Sequence, residues 1–151
     1  MKKTVKAEYL WLDGALPTQQ LRSKTRILRV DTDDALAVDQ LPDWGYDGSS
    51  TFQATGGDSD LTLRPVFVTN DAVRGGDSIV VLCEVMHGDG RPHETNHRAQ
   101  LRDVLERGAA LEQAWFGFEQ EYTFFRDQGP LGWPSNGYPA PQGPFYCSVG
   151  A

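Results

Sequence analysis

The chain of 151 residues has little sulfur and no long apolar run. Its longest uninterrupted hydrophobic stretch, Ile79 to Cys83, is strand-sized and far below the roughly 20 residues that a membrane-crossing helix needs. The basic start "MKKTVK" leads into no apolar segment of the signal-peptide kind, so a cytoplasmic protein without a membrane partner is expected. The only two cysteines, Cys83 and Cys147, lack CxxC spacing and a zinc-type histidine arrangement. They read as small buried hydrophobes, and a disulfide between them is not required at this chain length. No internal repeat is present. A base is also missing from residues 31–60, which carry eight aspartates and a local charge of −8. Residues 1–30 stand at +5 and the remainder at −4, for a total of −7. An acidic chain without a basic face repels phosphate backbones, which argues against nucleic acid as a partner.

What is present is the composition of a soluble globular protein, 39% hydrophobic and 23% charged, long enough for one domain or a small domain plus part of another. Alternating apolar and polar residues predict strands at Val5–Gly14 and Leu21–Val30, and two more strands are read at Leu61–Thr69 and Ser78–Met86, joined through the turn-forming "RGGDS". The second has Leu21, Ser23, Thr25, Ile27 and Arg29 on one face and mostly bases on the other, and composition favours a solvating role for those bases. Residues 31–60 are rich in Gly, Ser, Asp and Thr and read as a long loop, ordered by Trp44, Tyr46 and Phe52. One clear helix is expected in "ETNHRAQLRDVLERG", capped by Thr95, striped by Leu101, Val104 and Leu105, and closed by Gly108. A boundary at "HGDGRP" would divide a four-strand unit, residues 1–91, from residues 92–151. The closing "GPLGWPSNGYPAPQGPFYCSVGA" is too dense in Gly and Pro for a helix.

Two segments suggest chemistry. "WFGFEQEYTFF", Trp115 to Phe125, reads as a strand with Phe116, Phe118, Tyr122 and Phe124 on a core face, and Glu119 and Glu121 together on the other. Two carboxylates side by side either face water or call for a proton or a hard cation to offset their repulsion. On the strand pattern alone, the solvated face is favoured. The second segment is "YDGSSTFQATGGDSDLTL", where the Asp47-Gly48 turn signal is followed by the hydroxyls of Ser49, Ser50 and Thr51 beside an acid.

Tyr46, Asp47, Gly48, Ser49, Ser50, Asp58, Ser59, Asp60 and Leu63 together resemble the first signature of glutamine synthetases. "AEYLWLDG", "LRSKTRIL", "PVFV", "VLCE", "TNHR" and "GWPSNGYPAPQGPFYCSVGA" look like further landmarks, in order, of the type II, eukaryotic-like branch. The resemblance implies an α+β protein: an N-terminal β-grasp domain followed by the first helix and strands of the catalytic domain. It also implies a ligase of glutamine biosynthesis and nitrogen metabolism that joins ammonium to L-glutamate with ATP, through γ-glutamyl phosphate, assisted by Mg²⁺ or Mn²⁺. By motif position, Glu119 would hold the metal on the nucleotide phosphates and Glu121 the metal near glutamate. Asp47, with Ser50, would line the ammonium pocket, in a homo-oligomer whose active sites form between subunits. Phe52 stands where the family usually has glycine, and Ile27 where it usually has threonine. The family's other metal ligands and its substrate-binding arginines lie downstream of the matching region, so the chain alone is expected to be inactive. Two other readings stay open: a truncated, non-catalytic interaction module, and a small cation-binding protein using Asp58, Asp60 and the glutamate pair.

Overall fold

A computed structural model describes residues 3–31, 35–127 and 129–131. Five strands form one mixed sheet: β1 (Lys3–Leu12), β2 (Leu21–Val30), β3 (Trp44–Asp47), β4 (Asp60–Asn70) and β5 (Ser78–His87), in the spatial order β2-β1-β5-β4-β3. β1 and β5 run parallel at the centre, and the other neighbours are antiparallel. One α-helix follows among the described residues, α1 (His97–Glu106), so that they form an α+β arrangement. The residues up to Glu112 form one compact unit and those from Gln113 a second, in which the short strands β6 (Phe125–Arg126) and β7 (Gly129–Pro130) pair. No helix of the described residues is long and apolar enough to cross a membrane.

The period-2 pattern explains the sheet. Val5, Ala7, Tyr9 and Trp11 of β1 alternate onto the same core as Ile79, Val81, Cys83 and Val85 of β5 and Leu61 and Leu63 of β4. A bulge between Pro65 and Phe67 shifts the parity of β4. Phe67 is left exposed, and Val68 packs against the core instead. Burial at Cys83 pushes its thiol up to about 12, so it stays a protonated core side chain. Cys147 lies outside the described residues.

Several expectations are corrected. Residues 31–60 are more than a loop, because Trp44–Asp47 is a strand in register with Asp60–Leu63; its four residues are too few for a period to be read from the sequence. The bases of β2 do more than solvate: Arg22, Lys24 and Arg26 are half-buried while Leu21 and Ile27 are exposed. Lys24 Nζ sits 3.9 Å above the Trp44 ring, with the Arg26 guanidinium 5.5 Å from it. The two cations thus cover the Trp44 ring, which itself packs against the core.

The helix is capped by Asn96, not Thr95. Asn96 Oδ1 accepts from Ala99 N, while its Nδ2 donates to Val85 O, pinning the helix start to β5. Gly108, at φ +122°, follows the last turn as expected. The stripe of Leu101, Val104 and Leu105 remains exposed, and only Ala99 of the helix is buried. Polar anchors hold α1 instead: Arg102 NH1 donates to both oxygens of the buried Glu84, at 3.0 and 2.8 Å, and Arg98 Nε lies 3.5 Å from Glu84.

Candidate functional site

The turn after β3 is built by its own sequence. Asp47 ends the strand opposite Asp60 and caps the 3-10 turn Gly48–Thr51. Its Oδ1 accepts from Ser49 N at 2.9 Å and from Ser49 Oγ at 2.6 Å. Ser50 Oγ donates to Asp47 O at 3.0 Å, so Asp47 and Ser50 share one small knot of hydrogen bonds. Gly48 donates to Ser59 O, and any Cβ there would come within 2.5 Å of Leu61 Cδ1. Asp47 and Ser50 are exposed, whereas Gly48 and Thr51 are buried. The Ser49 hydroxyl and amide hold the Asp47 carboxyl below its ordinary value, keeping it ionised. The turn therefore presents a fixed anion to solvent on a buried base.

That base is Gln53, 6% exposed, whose amide uses all four of its hydrogen-bonding positions. Oε1 accepts from Tyr46 Oη (2.7 Å) and Thr51 Oγ1 (2.8 Å); Nε2 donates to Leu12 O (3.1 Å) and Thr95 Oγ1 (2.8 Å). The Gln53 backbone N donates to Gly48 O, closing the turn. Phe52, between them, takes the left-handed conformation at φ 59°. From below, Gly14 N donates to Thr51 O, and a Cβ on Gly14 would lie 2.2 Å from Phe52 O.

Gly14 is held in turn by Asp13, which is fully buried. Asp13 Oδ1 accepts from Ala15 N and Gln20 N, and its Oδ2 from Arg22 Nε at 2.8 Å. Burial works to raise the Asp13 carboxyl, but the bonds from Gln20, Ala15 and Arg22 outweigh it and leave it below its ordinary value.

Glu119 and Glu121 are placed differently. Residues 114–124 form neither helix nor strand, which corrects the expected strand. Trp115, Phe116 and Phe118 of its intended core face and neighbourhood are exposed, as are both glutamates. A strand exists only through a ladder, and among the described residues none forms one with this segment. Asp47 and Ser50 lie in the first compact unit, and Glu119 and Glu121 in the second.

No family model matches the chain. Among curated proteins, it is 57% identical to the glutamine synthetase of Streptomyces viridochromogenes over 148 residues, 98% of this chain and 42% of the relative. Identity is 56% to that of Streptomyces hygroscopicus (98% and 42%) and 47% to the chloroplastic enzyme of Chlamydomonas reinhardtii (96% and 40%). Over nearly its whole length the chain is similar to glutamine synthetases. It spans about two fifths of the length of the curated relatives it matches.

Sequence reading missed the polar core under the turn. Gln53 and His93 carry no motif, and Thr95, in "TNHR", read only as a helix cap; the available signal was a Gln placed among small turn residues and two histidines flanking "GDGRP". The hairpin at that point, with His87 N donating to Arg91 O and His93 N to Val85 O, brings His87 and His93 together, ring centroids 4.8 Å apart. Their nitrogens and a Glu94 oxygen lie within 4.8 Å of one another, a spacing that a metal could bridge. His93 is already committed, however: Nε2 donates to Gln53 O at 2.6 Å, while Nδ1 faces the Thr95 hydroxyl and amide at 3.0 and 3.2 Å. Of the cluster, His93 serves the turn, while His87 pairs with Glu94 at 3.1 Å.

Proposed function

We propose that this chain is the N-terminal portion of a type II glutamine synthetase, ligating ammonium to L-glutamate at the expense of ATP. In this reading residues 1–91 are the β-grasp domain, and residues 92–151 open the catalytic domain. ATP passes its γ-phosphoryl group to the glutamate side-chain carboxylate, forming γ-glutamyl phosphate and ADP. Ammonia then displaces phosphate to give glutamine.

The preformed Asp47 turn is the observation that carries this reading. An exposed carboxylate fixed by Ser49 and kept ionised is suited to hold ammonium, with Ser50 beside it, and to take the proton that leaves before nitrogen can attack. Pre-positioning matters because a small cation offers few contacts, so the protein must supply the order in advance.

Glu119 and Glu121 fit Mg²⁺ or Mn²⁺ by donor chemistry: both are hard oxygen ligands, accessible, and two residues apart. Glu119 would serve the ion on ATP and Glu121 the ion near glutamate. The ions would offset charge between two anions that must meet. A cytoplasmic homo-oligomer with active sites between subunits completes the proposal.

The test is a completed enzyme, this chain continued by the downstream portion of the Streptomyces viridochromogenes relative. It is expected to form glutamine from glutamate, ammonium and MgATP, whereas the 151-residue chain alone does not. Turnover by the chain alone, or none by the completed enzyme when folded and assembled, contradicts the reading. A native stop after codon 151 would favour the truncated, non-catalytic alternative, with which the two-fifths coverage is also compatible.

A further inference from the structure

Three hydrogen bonds join the turn to the start of the helix in a closed circuit. Gln53 Nε2 donates to Thr95 Oγ1 at 2.8 Å, which leaves the Thr95 hydroxyl hydrogen for His93 Nδ1 at 3.0 Å. A carbonyl oxygen can only accept, so the 2.6 Å contact between His93 Nε2 and Gln53 O makes Nε2 the protonated nitrogen. The Gln53 residue itself closes the ring, from its backbone carbonyl to its side-chain amide. Gln53 and His93 are buried, so an unmade bond has no water to replace it.

Both ends of the circuit are fixed to something else. Thr95 precedes Asn96, which is bonded to β5, and its carbonyl accepts from Gln19 Nε2 at 3.0 Å. The same Gln19 Nε2 lies 2.6 Å from Asp13 O, beneath the turn. On the other side, Gln53 N and Oε1 hold Gly48 O, Thr51 and Tyr46. The ring therefore references the turn that bears Asp47 to β5 and α1 rather than to the turn's own residues.

We propose that Gln53, Thr95 and His93 are positioning residues for ammonium use: their hydrogen-bond ring sets where the Asp47 carboxylate stands, and the Thr95 hydroxyl is its central link. The inference rests on the reading of Asp47 given above. None of the three touches substrate; they act through the Asp47 turn.

The decisive variant is Thr95→Val in the completed enzyme, which keeps the side-chain shape and removes the link. The KM for ammonium should rise roughly tenfold to a hundredfold, with the KM for glutamate and for ATP within about twofold. Thr95→Ser, which restores the hydroxyl, should return the ammonium KM to within about threefold. An unchanged ammonium KM in folded Thr95→Val overturns the inference, and so does a parallel loss across all three substrates without rescue by Ser. Should Thr95→Val not fold, Tyr46→Phe carries the same test: it deletes one bond to Gln53 Oε1, and an ammonium KM that does not rise overturns the inference. Asp47→Asn separates this from the underlying reading, since Asn retains the acceptor for Ser49 and loses the charge. If Asp47→Asn leaves the ammonium KM unchanged, the reading of Asp47 falls and the inference with it. If Asp47→Asn raises it and Thr95→Val does not, only the inference falls.

Discussion

Two segments of this chain carry the carboxylates of interest, and they are built on opposite principles. At Asp47, each polar group near the carboxylate has a partner inside the first unit: Ser49 on the side chain, Ser59 on Gly48, and Gln53 beneath. At Glu119 and Glu121, eleven consecutive residues form no helix or strand, and Trp115 and Phe118 are almost wholly exposed. Both stretches are rich in aromatics or turn residues, so composition does not separate them. What separates them is the location of their hydrogen-bonding partners. A 3-10 turn closes within four residues, and its support comes from strands in the same sheet. A strand has no such self-sufficiency, since its amides are satisfied only by a neighbour.

That contrast can be broken most severely through chemistry. Glu119→Gln should lower glutamine formation by the completed enzyme about a thousandfold or more, because a metal ligand acts directly on transition-state charge. In the isolated chain the same change should move stability by no more than about 0.5 kcal/mol, as Glu119 is exposed. A large stability change in urea would mean that the two regions do not differ as described.

Gln53→Leu probes the other side and should destabilise the isolated chain by about 3 kcal/mol in urea titrations, because buried groups on Tyr46, Thr51, Thr95 and Leu12 lose partners together. Next in size is Gly14→Ala, expected to cost about 2 kcal/mol: the new methyl meets the Phe52 carbonyl, which belongs to the backbone and cannot swing aside.

Acid should affect the supported region through Asp13. Its carboxyl lies below the ordinary value in the folded chain, so its contribution is present above the unfolded pKa of about 4 and is lost as pH falls through the folded value. The gap in urea stability between pH 7 and pH 3 should thus narrow in Asp13→Asn, and an unchanged gap would remove Asp13 from the acid response. The smallest effect runs upward. Phe52 is exposed and left-handed, so Phe52→Gly should stabilise the chain by about 1 kcal/mol, measured by the same titration.

The difference between the regions also explains what the sequence could and could not disclose. β1, β2, β4 and β5 were legible, with ends within a residue or two, because alternation or an apolar run marks each and each has its partners within the chain. The turn at Asp47-Gly48 was legible for the same local reason. β3 was not, since its strand character comes from pairing with residues 60–63 and not from its own pattern. Thr95 suited an N-cap as well as Asn96 does; only the sheet decides which of the two faces Ala99 and which faces Gln53. Phe116, Phe118, Tyr122 and Phe124 have the period of a buried face without a described surface to bury against. The positive φ at Phe52 is one that glycine adopts without the cost a side chain brings, which the sequence pattern could not disclose.

The edges of the sheet carry one more consequence. β2, at one edge, bears Arg22, Lys24, Arg26 and Arg29, and β3, at the other, is only four residues long. Charge along an edge and brevity of an edge strand both discourage a second molecule from adding its own strand there. Cross-molecule pairing of this chain should therefore begin in the aromatic stretch around Trp115 to Phe125, so solubilising substitutions are best spent there and the sheet left untouched.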